Sequence, residues 1–257
     1  MSLRFLPILV AVVVTIATVV SPAAPVAASE TRIIRFGYLD DPGSFLYRIA
    51  AAREHFREEG LRVKLVSFSD SREGLAALES GAIDIGAFRV GDSLRAIADG
   101  KGFRIIAGGG TPVSDDPLVE LDDTLQDETR SRGVVVLIPP TWTNAEKDTL
   151  VRLTAALIKA YRSHRHQTPD ASPGSHLNRI THFDPNPDYY RLERIWRSLG
   201  LQAVNMKQDF LANHIYEEIY CDALDRLLDS SADDPVFKEL SSKAVCTPDC
   251  CPKNAKK

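Results

Sequence analysis

The chain has 257 residues, of which 44% are hydrophobic and 26% charged, with 15 glycines and 15 prolines. This composition is typical of a folded protein with a buried core, and it excludes collagen-like, coiled-coil, small disulfide-rich and largely disordered chains. The formal net charge is −4. Nucleic-acid-binding surfaces normally carry a basic excess, so no nucleic-acid partner is expected.

The first 28 residues have the features of a secretion signal. After a short positively charged start, Phe5–Val20 contains 16 residues and no charge. A membrane-spanning helix needs roughly 20 residues, which makes an uncleaved anchor the less favoured alternative. Val26 and Ala28 are small where a signal peptidase requires small side chains, and this predicts cleavage after Ala28. We therefore expect residues 1–28 to be a signal peptide and the mature protein, from residue 29, to be periplasmic.

Strand-like and helix-like stretches alternate between residues 29 and 110. The predicted strands are Ile33–Leu39, a run around Leu61–Leu65, Ala82–Phe88 and Phe103–Ala107. Helical spacing follows each of the first three strands and ends at a glycine: Gly60, Gly81 and Gly100. Such alternation implies parallel pairing with right-handed crossovers. The sequence therefore predicts an α/β lobe with a mainly parallel sheet over residues 29–110.

The loops after three of these strands carry the candidate binding residues. Ligands of open α/β sheets lie beyond the carboxyl ends of the strands, which here are loops 39–44, 67–71 and 87–93. Backbone N–H groups at helix N-termini, together with Arg89, favour an anion or a polar head group. The carboxylates of the same loops could instead seat an amine, and the serines could simply cap helices. The candidates are Tyr38, Asp40, Ser44, Ser69, Ser71, Arg89 and Ser93.

The pattern changes beyond residue 110. Residues 111–132 are acidic and lack periodicity, which predicts a loop. Residues 133–245 begin with an apolar strand at Gly133–Ile138 and continue with helices, the longest predicted from Ala145 to about His164. Residues 246–257 form a tail with too little apolar content to pack against a core.

Four cysteines lie in the C-terminal region: Cys221, Cys246, Cys250 and Cys251. An even number of cysteines in an exported protein indicates disulfides first. Because adjacent cysteines pair only with strain, Cys250 or Cys251 is expected to join Cys246 or Cys221. The alternative is a thiolate site for a soft metal, although the spacing matches no standard zinc motif.

The sequence has none of the motifs that mark nucleophilic catalysis or nucleotide binding. It contains no Gly-x-Ser-x-Gly, no His-Glu-x-x-His and no nucleotide fingerprint. The run Gly108–Gly110 is not followed by the Lys and Ser or Thr of a phosphate loop. We therefore expect a binding protein rather than an enzyme, with no cofactor and no resident metal.

Six stretches of the chain together carry a family resemblance. The most recognisable is Leu75–Gly86, which reads LAALESGAIDIG. The others are Ile34–Tyr38, Ile49–Gly60, Ile97–Lys101, Ile105–Gly109 and Leu150–Tyr161. In their order and spacing they resemble the periplasmic substrate-binding proteins of ABC importers, in particular the nitrate/sulfonate/taurine and pyrimidine-precursor-binding group. The resemblance implies the type II fold of that family, in which two α/β lobes joined by two crossing strands close on a ligand.

The resemblance also implies that most of the second lobe is missing. Phe103–Gly110 resembles the first crossing strand and Gly133–Ile138 the return strand, with the 22 residues of 111–132 between them. One βαβ unit takes roughly 30 residues or more, so the sheet of a second lobe does not fit. We expect an acidic loop and C-terminal helices in its place. Three alternatives then stay open: a partner chain or a second copy supplies the other wall of the site, the site is open and shallow, or binding has been lost.

The functional hypothesis is a periplasmic solute-binding protein that delivers a small polar, anionic solute to the permease of an ABC importer. Two alternatives stay open at this point. One is a periplasmic accessory protein that handles thiols or metals on half of the clamp. The other is a sensor or adaptor that binds another protein through the face exposed by the missing lobe.

Overall fold

The computed structural model describes residues 32–40, 45–109, 133–142, 144–165, 185–201 and 210–244. All of them belong to one unit, Thr31–Lys257, while Met1–Glu30 separate as another. The predicted signal peptide, the acidic loop 111–132 and the tail 246–257 therefore lie outside the described residues and stay predictions.

Strands and helices alternate in the first half of the described chain, and helices dominate the second half. The strands are β1 (Ile33–Leu39), β2 (Arg62–Phe68), β3 (Ile85–Arg89), β4 (Arg104–Gly108) and β5 (Val134–Ile138). The helices are α1 (Phe45–Ala52), α2 (His55–Glu58), α3 (Ser71–Glu79), α4 (Val90–Ala98), α5 (Lys147–Arg165), α6 (Tyr189–Ser198), α7 (Glu217–Ser230) and α8 (Pro235–Lys243). Two 3-10 turns, Asn144–Glu146 and Ala212–His214, precede α5 and α7. The prediction of an α/β fold is confirmed.

The five strands within these ranges form one sheet in the order β2-β1-β3-β5-β4. β1 pairs in parallel with β2 and β3, so that Tyr38 lies opposite Ser67 on one side and Ala87 on the other. β5 is antiparallel to both β3 and β4, so β4 points the same way as β1, β2 and β3. The sheet is thus mainly parallel, as predicted, and β5 alone among these strands runs in the opposite direction.

Helices cover both faces of the sheet, because apolar side chains such as those of β5 project from both faces. Its side chains alternate, with Val134, Val136 and Ile138 in one apolar cluster and Val135 and Leu137 in the other. The first cluster includes residues of α1, α2, α5, α7 and α8, and the second includes residues of α3, α4 and α6. The helices that follow residue 144 therefore pack against the same sheet as the first half of the chain.

The helix after β1 is interrupted, which the sequence did not predict. Leu46, Ala50 and Phe56 are spaced as on one helix, and all three are buried. The structure nevertheless ends α1 at Ala52 and starts α2 at His55, because Glu54 adopts φ 61°. This left-handed conformation is unfavourable for residues other than glycine, and it leaves α2 as a single turn with Phe56 still in the core.

One prediction concerns the contact between α3 and β3. A Cβ added at Gly74 would lie 2.0 Å from Cε1 of Phe88, whose ring is fully buried. In a helix interior alanine is normally more stabilising than glycine. Here the added methyl group would overpack the core, so we expect Gly74→Ala to lower the free energy of unfolding by about 1–2 kcal/mol. Chemical denaturation measures the change. Adding Phe88→Leu should recover part of the loss, whereas a more stable Gly74→Ala single variant would contradict the packing.

Candidate functional site

The carboxyl ends of β1, β2 and β3 meet at one edge of the sheet. The parallel register places Leu39 opposite Phe68, and the N–H of Asp40 donates to the carbonyl of Phe68 at 3.3 Å. β3 passes directly into α4, since Arg89 ends the strand and Val90 begins the helix. The described parts of the three loops that were predicted to carry the site therefore belong to the same edge.

Arg89 is the junction between β3, α3 and β5. Its backbone N–H donates to Oγ of Ser71, the first residue of α3, at 3.4 Å. The next N–H, that of Val90, donates to the carbonyl of Gly133 at 2.9 Å. These bonds fix the direction in which α4 leaves the sheet, and the side chain of Arg89 is exposed to solvent at this point.

The first turn of α4 carries a buried hydroxyl without a partner among the described residues. Ser93 is 0% exposed, and its Oγ makes no hydrogen bond there. Side chains on a helix lean toward its N-terminus, so this hydroxyl lies over the turn that starts at Val90. The residue before that turn, Arg89, makes no side-chain cap. The start of α4 thus combines N–H groups, the positive end of the helix dipole and an unused hydroxyl, an arrangement that suits an anion.

The remaining candidates have more ordinary surroundings. Tyr38 lies on β1, partly buried against the core. Asp40 is exposed, with a carboxylate oxygen 3.8 Å from a guanidinium nitrogen of Arg48. Ser69 donates to Oε2 of Glu73 at 3.2 Å. Ser44 lies outside the described residues, so its place at this edge stays a prediction.

The alternative that Ser69, Ser71 and Ser93 cap helices is corrected by the structure. The cap of α3 is Asp70, whose carboxylate accepts the N–H of Glu73 at 2.8 Å. Ser71 is inside that helix, and Ser93 is in the fourth position of α4 rather than before it. A short carboxylate caps a helix at least as well as serine does, and Asp70 has the extended backbone that a cap requires. Ser71 and Ser93 are therefore not used as caps.

A half-buried carboxyl borders the same edge at the end of β4. The N–H of Gly108 donates to the carbonyl of Pro185 at 3.0 Å, which brings the start of α6 to this end of the sheet. Burial raises the pKa of the Glu217 carboxyl there, a hydrogen bond from the Tyr189 N–H partly opposes the rise, and the charge of Asp188 adds to it. This end of the sheet therefore becomes less negative at a higher pH than an ordinary glutamate would allow.

The described part of the chain contains one of the four cysteines. Cys221 is buried on α7 and is disulfide-bonded. Cys246, Cys250 and Cys251 lie outside the described residues, so the pairing stays a prediction. No cluster of three or more His, Cys, Asp or Glu side chains is placed to hold a metal ion within the described ranges. No helix of the described chain is both long and apolar enough to cross a membrane.

Comparison of the chain with known proteins finds likeness in structure. No family model matches the sequence, and no curated protein matches it. The ligand-binding component of an ABC-type import system from Staphylococcus aureus, solved with zinc bound, is similar with a TM-score of 0.53 at 12% identity, over 75% of this chain and 99% of that one.

Two sulfonate-binding proteins are also similar. The periplasmic aliphatic sulphonate binding protein SsuA from Escherichia coli has a TM-score of 0.48 at 13% identity, over 72% of this chain and 92% of that one. The alkanesulfonate-binding protein SsuA from Xanthomonas axonopodis pv. citri, solved with MOPS bound, has a TM-score of 0.48 at 12% identity, over 74% of this chain and 99% of that one.

The likeness is one of fold. At 12% identity and a TM-score of 0.53, the Staphylococcus aureus structure shows that this chain has the periplasmic-binding-protein fold. The resemblance predicted from the sequence stretches is therefore confirmed at the level of the fold. Which solute, if any, the chain binds is a separate question, because a fold does not determine its ligand.

Proposed function

We propose that the protein is an extracytoplasmic solute-binding protein that delivers a small polar anion to the permease of an ABC importer. The observation that carries the proposal is the start of α4, where the fully buried Ser93 hydroxyl has no partner among the described residues. A buried polar group without a hydrogen bond costs about 1–3 kcal/mol, and a bound ligand would remove that cost. The Staphylococcus aureus protein that shares this fold is the ligand-binding component of an ABC-type import system, which supports the proposal.

The proposed contacts divide into an anion-binding centre and a border. At the centre, Arg89 supplies the positive charge, Ser93 a hydroxyl, and the first turn of α4 its N–H groups. Ser71 accepts the Arg89 N–H, so its hydroxyl proton can still be donated to the solute. The uncharged part of the solute would contact the bordering residues and be selected by them: Tyr38, Asp40, Ser44 and Ser69.

The second lobe of the clamp is proposed to be absent. The segment 111–132 is too short for the sheet of another lobe. The helices after residue 144 pack on the sheet that carries the site. The face over the site would then be closed by the permease, by another partner chain or by a second copy.

Identification of a bound solute tests this function directly. Protein isolated from its native compartment is denatured, and the released small molecules are identified by mass spectrometry. We expect an anion at close to one equivalent, and a panel of nitrate, sulfate, taurine and short alkanesulfonates should include a compound that raises the melting temperature. The proposal would be contradicted if the preparation contained no small molecule and no compound of the panel changed the melting temperature.

Export is part of the proposed function and can be tested separately. The predicted signal peptide ends at Ala28, so the protein should be released in soluble form with Ser29 at its N-terminus. N-terminal sequencing of protein from the extracytoplasmic fraction measures this. Finding Met1 at the N-terminus of membrane-bound protein would contradict cleavage.

The cysteines are proposed to form two structural disulfides. The bonded state of Cys221 favours this over a thiol- or metal-handling role. The intact mass should be four hydrogens below that of the chain with its four cysteines reduced. Closing the loop from Cys221 to Cys246 would contribute roughly 3 kcal/mol in the chain-entropy account, so reduction should lower the melting temperature. Four alkylated cysteines together with stoichiometric metal in the unreduced protein would overturn this assignment.

A further inference from the structure

A serine, a histidine and a carboxylate form a continuous hydrogen-bond chain on the face of the molecule built by α2 and α5. Oγ of Ser163, in the last turn of α5, lies 3.0 Å from Nε2 of His55. Nδ1 of the same imidazole lies 3.1 Å from Oε2 of Glu58. A nucleophile within hydrogen-bond reach of a base, which a third group orients, is the arrangement that activates a serine in acyl-transfer sites.

The direction of these hydrogen bonds follows from the chemistry of the carboxylate. The bond to His55 holds the pKa of Glu58 below its usual range, burial works against this, and Lys159 adds to the lowering. An ionised Glu58 can only accept, so Nδ1 of His55 must donate. A neutral imidazole then has its lone pair on Nε2, which accepts the proton of the Ser163 hydroxyl. This tautomer is the one that a general base requires.

The position of His55 is fixed by strain and by burial. Glu54, the residue before it, has φ 61° and is the one described residue other than glycine with positive φ. Phe56, the residue after it, is buried in the core. Strained backbone of this kind persists where surrounding contacts hold it, and it occurs often at functional sites. The single turn of α2 thus presents His55 to α5 in a set orientation.

An ion cluster around the buried Glu59 holds the carboxyl end of α2. Glu59 is buried, with its oxygens 2.5 Å from Nζ of Lys159 and 3.1 Å from Nε of Arg226. Lys159 precedes Ser163 by one helical turn and also lies 3.4 Å from Glu58. Residues four apart share one face of a helix, so the ammonium group lies on the side of α5 that carries the serine. The ammonium group is paired with the carboxylates of Glu58 and Glu59, so it helps to hold Glu58 ionised and in place beside His55.

The hydrogen-bonded set of Ser163, His55 and Glu58 is accessible to a reagent from solvent. The His55 side chain is 12% exposed, the Glu58 side chain is 50% exposed, and Ser163 is partly exposed. The backbone N–H of Ser163 belongs to the helix, so it is not free to stabilise an oxyanion. Activated donors, whose leaving groups depart easily, are therefore the reagents that this serine suits.

From this geometry we propose that Ser163 is an activated nucleophile that accepts acyl or phosphonyl groups from activated donors. Oγ attacks the electrophilic carbon or phosphorus and forms a new ester bond. The bond to the leaving group breaks, the leaving group departs with its electron pair, and the hydroxyl proton passes to Nε2 of His55. In an acyl adduct, water activated by His55 would release the acid and restore Ser163. This site is separate from the solute site, and neither proposal depends on the other.

Labelling with a fluorophosphonate tests the proposal. The Oγ–P bond forms, fluoride leaves, and intact mass with peptide mapping locates the adduct. We expect one adduct, on Ser163, in the full mature protein and none in Ser163→Ala. General bases contribute about 10²–10⁴ in rate, so His55→Gln should label at least about 100-fold more slowly at neutral pH. Glu58→Gln should also slow labelling, because the amide can donate to Nδ1 and so favour the other tautomer.

A matched control separates this effect from general serine reactivity. Ser242 is exposed on α8, and its hydroxyl donates to the carbonyl of Glu239. Ser242→Ala should leave the labelling rate unchanged. Melting temperatures identify the variants that fold as the wild type does. If His55→Gln fails to fold, Glu58→Gln still provides the test. Absence of an adduct on Ser163, or equal rates in wild type and in the folded His55 and Glu58 variants, would overturn the proposal.

Discussion

Arg89→Ala is expected to weaken the binding of the anionic solute by more than tenfold. The loss corresponds to about 1.5–3 kcal/mol, which is the contribution of a hydrogen bond to a charged group. Arg89 ends β3 and precedes the start of α4, so its guanidinium would reinforce the N–H groups and the Ser93 hydroxyl. Titration calorimetry with the solute identified from the native protein measures the change. Ser93→Ala should cost less, because the lost partner is neutral.

Arg95→Ala is the matched control for this prediction. Arg95 lies on the same helix, is partly exposed and has a guanidinium nitrogen 3.7 Å from a carboxylate oxygen of Asp92. Its removal changes the net charge by the same amount as Arg89→Ala. A local contact predicts a large loss for Arg89→Ala and a small one for Arg95→Ala. Equal losses would mean that only the overall charge matters, and unchanged affinity in Arg89→Ala would remove this loop from the site.

Asp84→Ala is expected to lower the free energy of unfolding by about 2–3 kcal/mol, since it removes a buried carboxylate together with the charged hydrogen bonds that Arg32 and Arg35 donate to it. Asp84 precedes β3 and its side chain is 5% exposed. Its oxygens accept from the Arg35 N–H at 2.8 Å, from Arg35 Nε at 3.0 Å and from Arg32 at 2.5 Å. The carboxylate therefore joins the start of β1 to the start of β3. Urea denaturation at neutral pH measures the loss.

The effect of Asp84 should depend on pH. Burial works to raise the pKa of Asp84, but the hydrogen bonds from Arg35 and Arg32 outweigh it and hold this pKa below its usual value. A carboxyl whose pKa is lower when folded stabilises the protein above its unfolded pKa of about 3.9, and this stabilisation is lost as the pH falls through the folded value. The difference between wild type and Asp84→Asn should therefore shrink below about pH 4.

An exposed carboxylate provides the comparison for Asp84. Asp148 is 72% exposed and pairs with Nε of Arg152 at 2.8 Å, one turn along α5. Exposed pairs of this kind contribute about 0.2–1 kcal/mol, so Asp148→Ala should have a small effect at neutral pH. A loss for Asp84→Ala no larger than that for Asp148→Ala would contradict the structural role of Asp84.

The sequence predicted the sheet because its strands have strong local signals. β5 is a continuous apolar run and β1 is mostly apolar, with Arg35 inside it, and their predicted bounds differ from the observed ones by no more than one residue. α5 was predicted because its buried positions recur with helical spacing over five turns. These signals lie within each segment, so no contact with distant residues is needed to recognise them.

Features that depend on contacts between distant residues were not predicted. The spacing of Leu46 to Phe56 continues through Glu54, although the backbone turns there, because apolar periodicity does not report a single left-handed residue. The contact between His55 and Ser163 joins residues 108 positions apart, and neither has a flanking motif. Ser93 was predicted as a site residue, but its buried position without a partner depends on how α4 packs.

The central claim is that a small anion binds where β3 passes into α4. Hydrogen–deuterium exchange with and without a saturating concentration of the identified solute tests this most directly. The account predicts slower amide exchange on binding in residues 68–71 and 89–93, with α2 and the end of α5 unchanged. Protection confined to other segments, with residues 89–93 exchanging equally fast in both states, would contradict it.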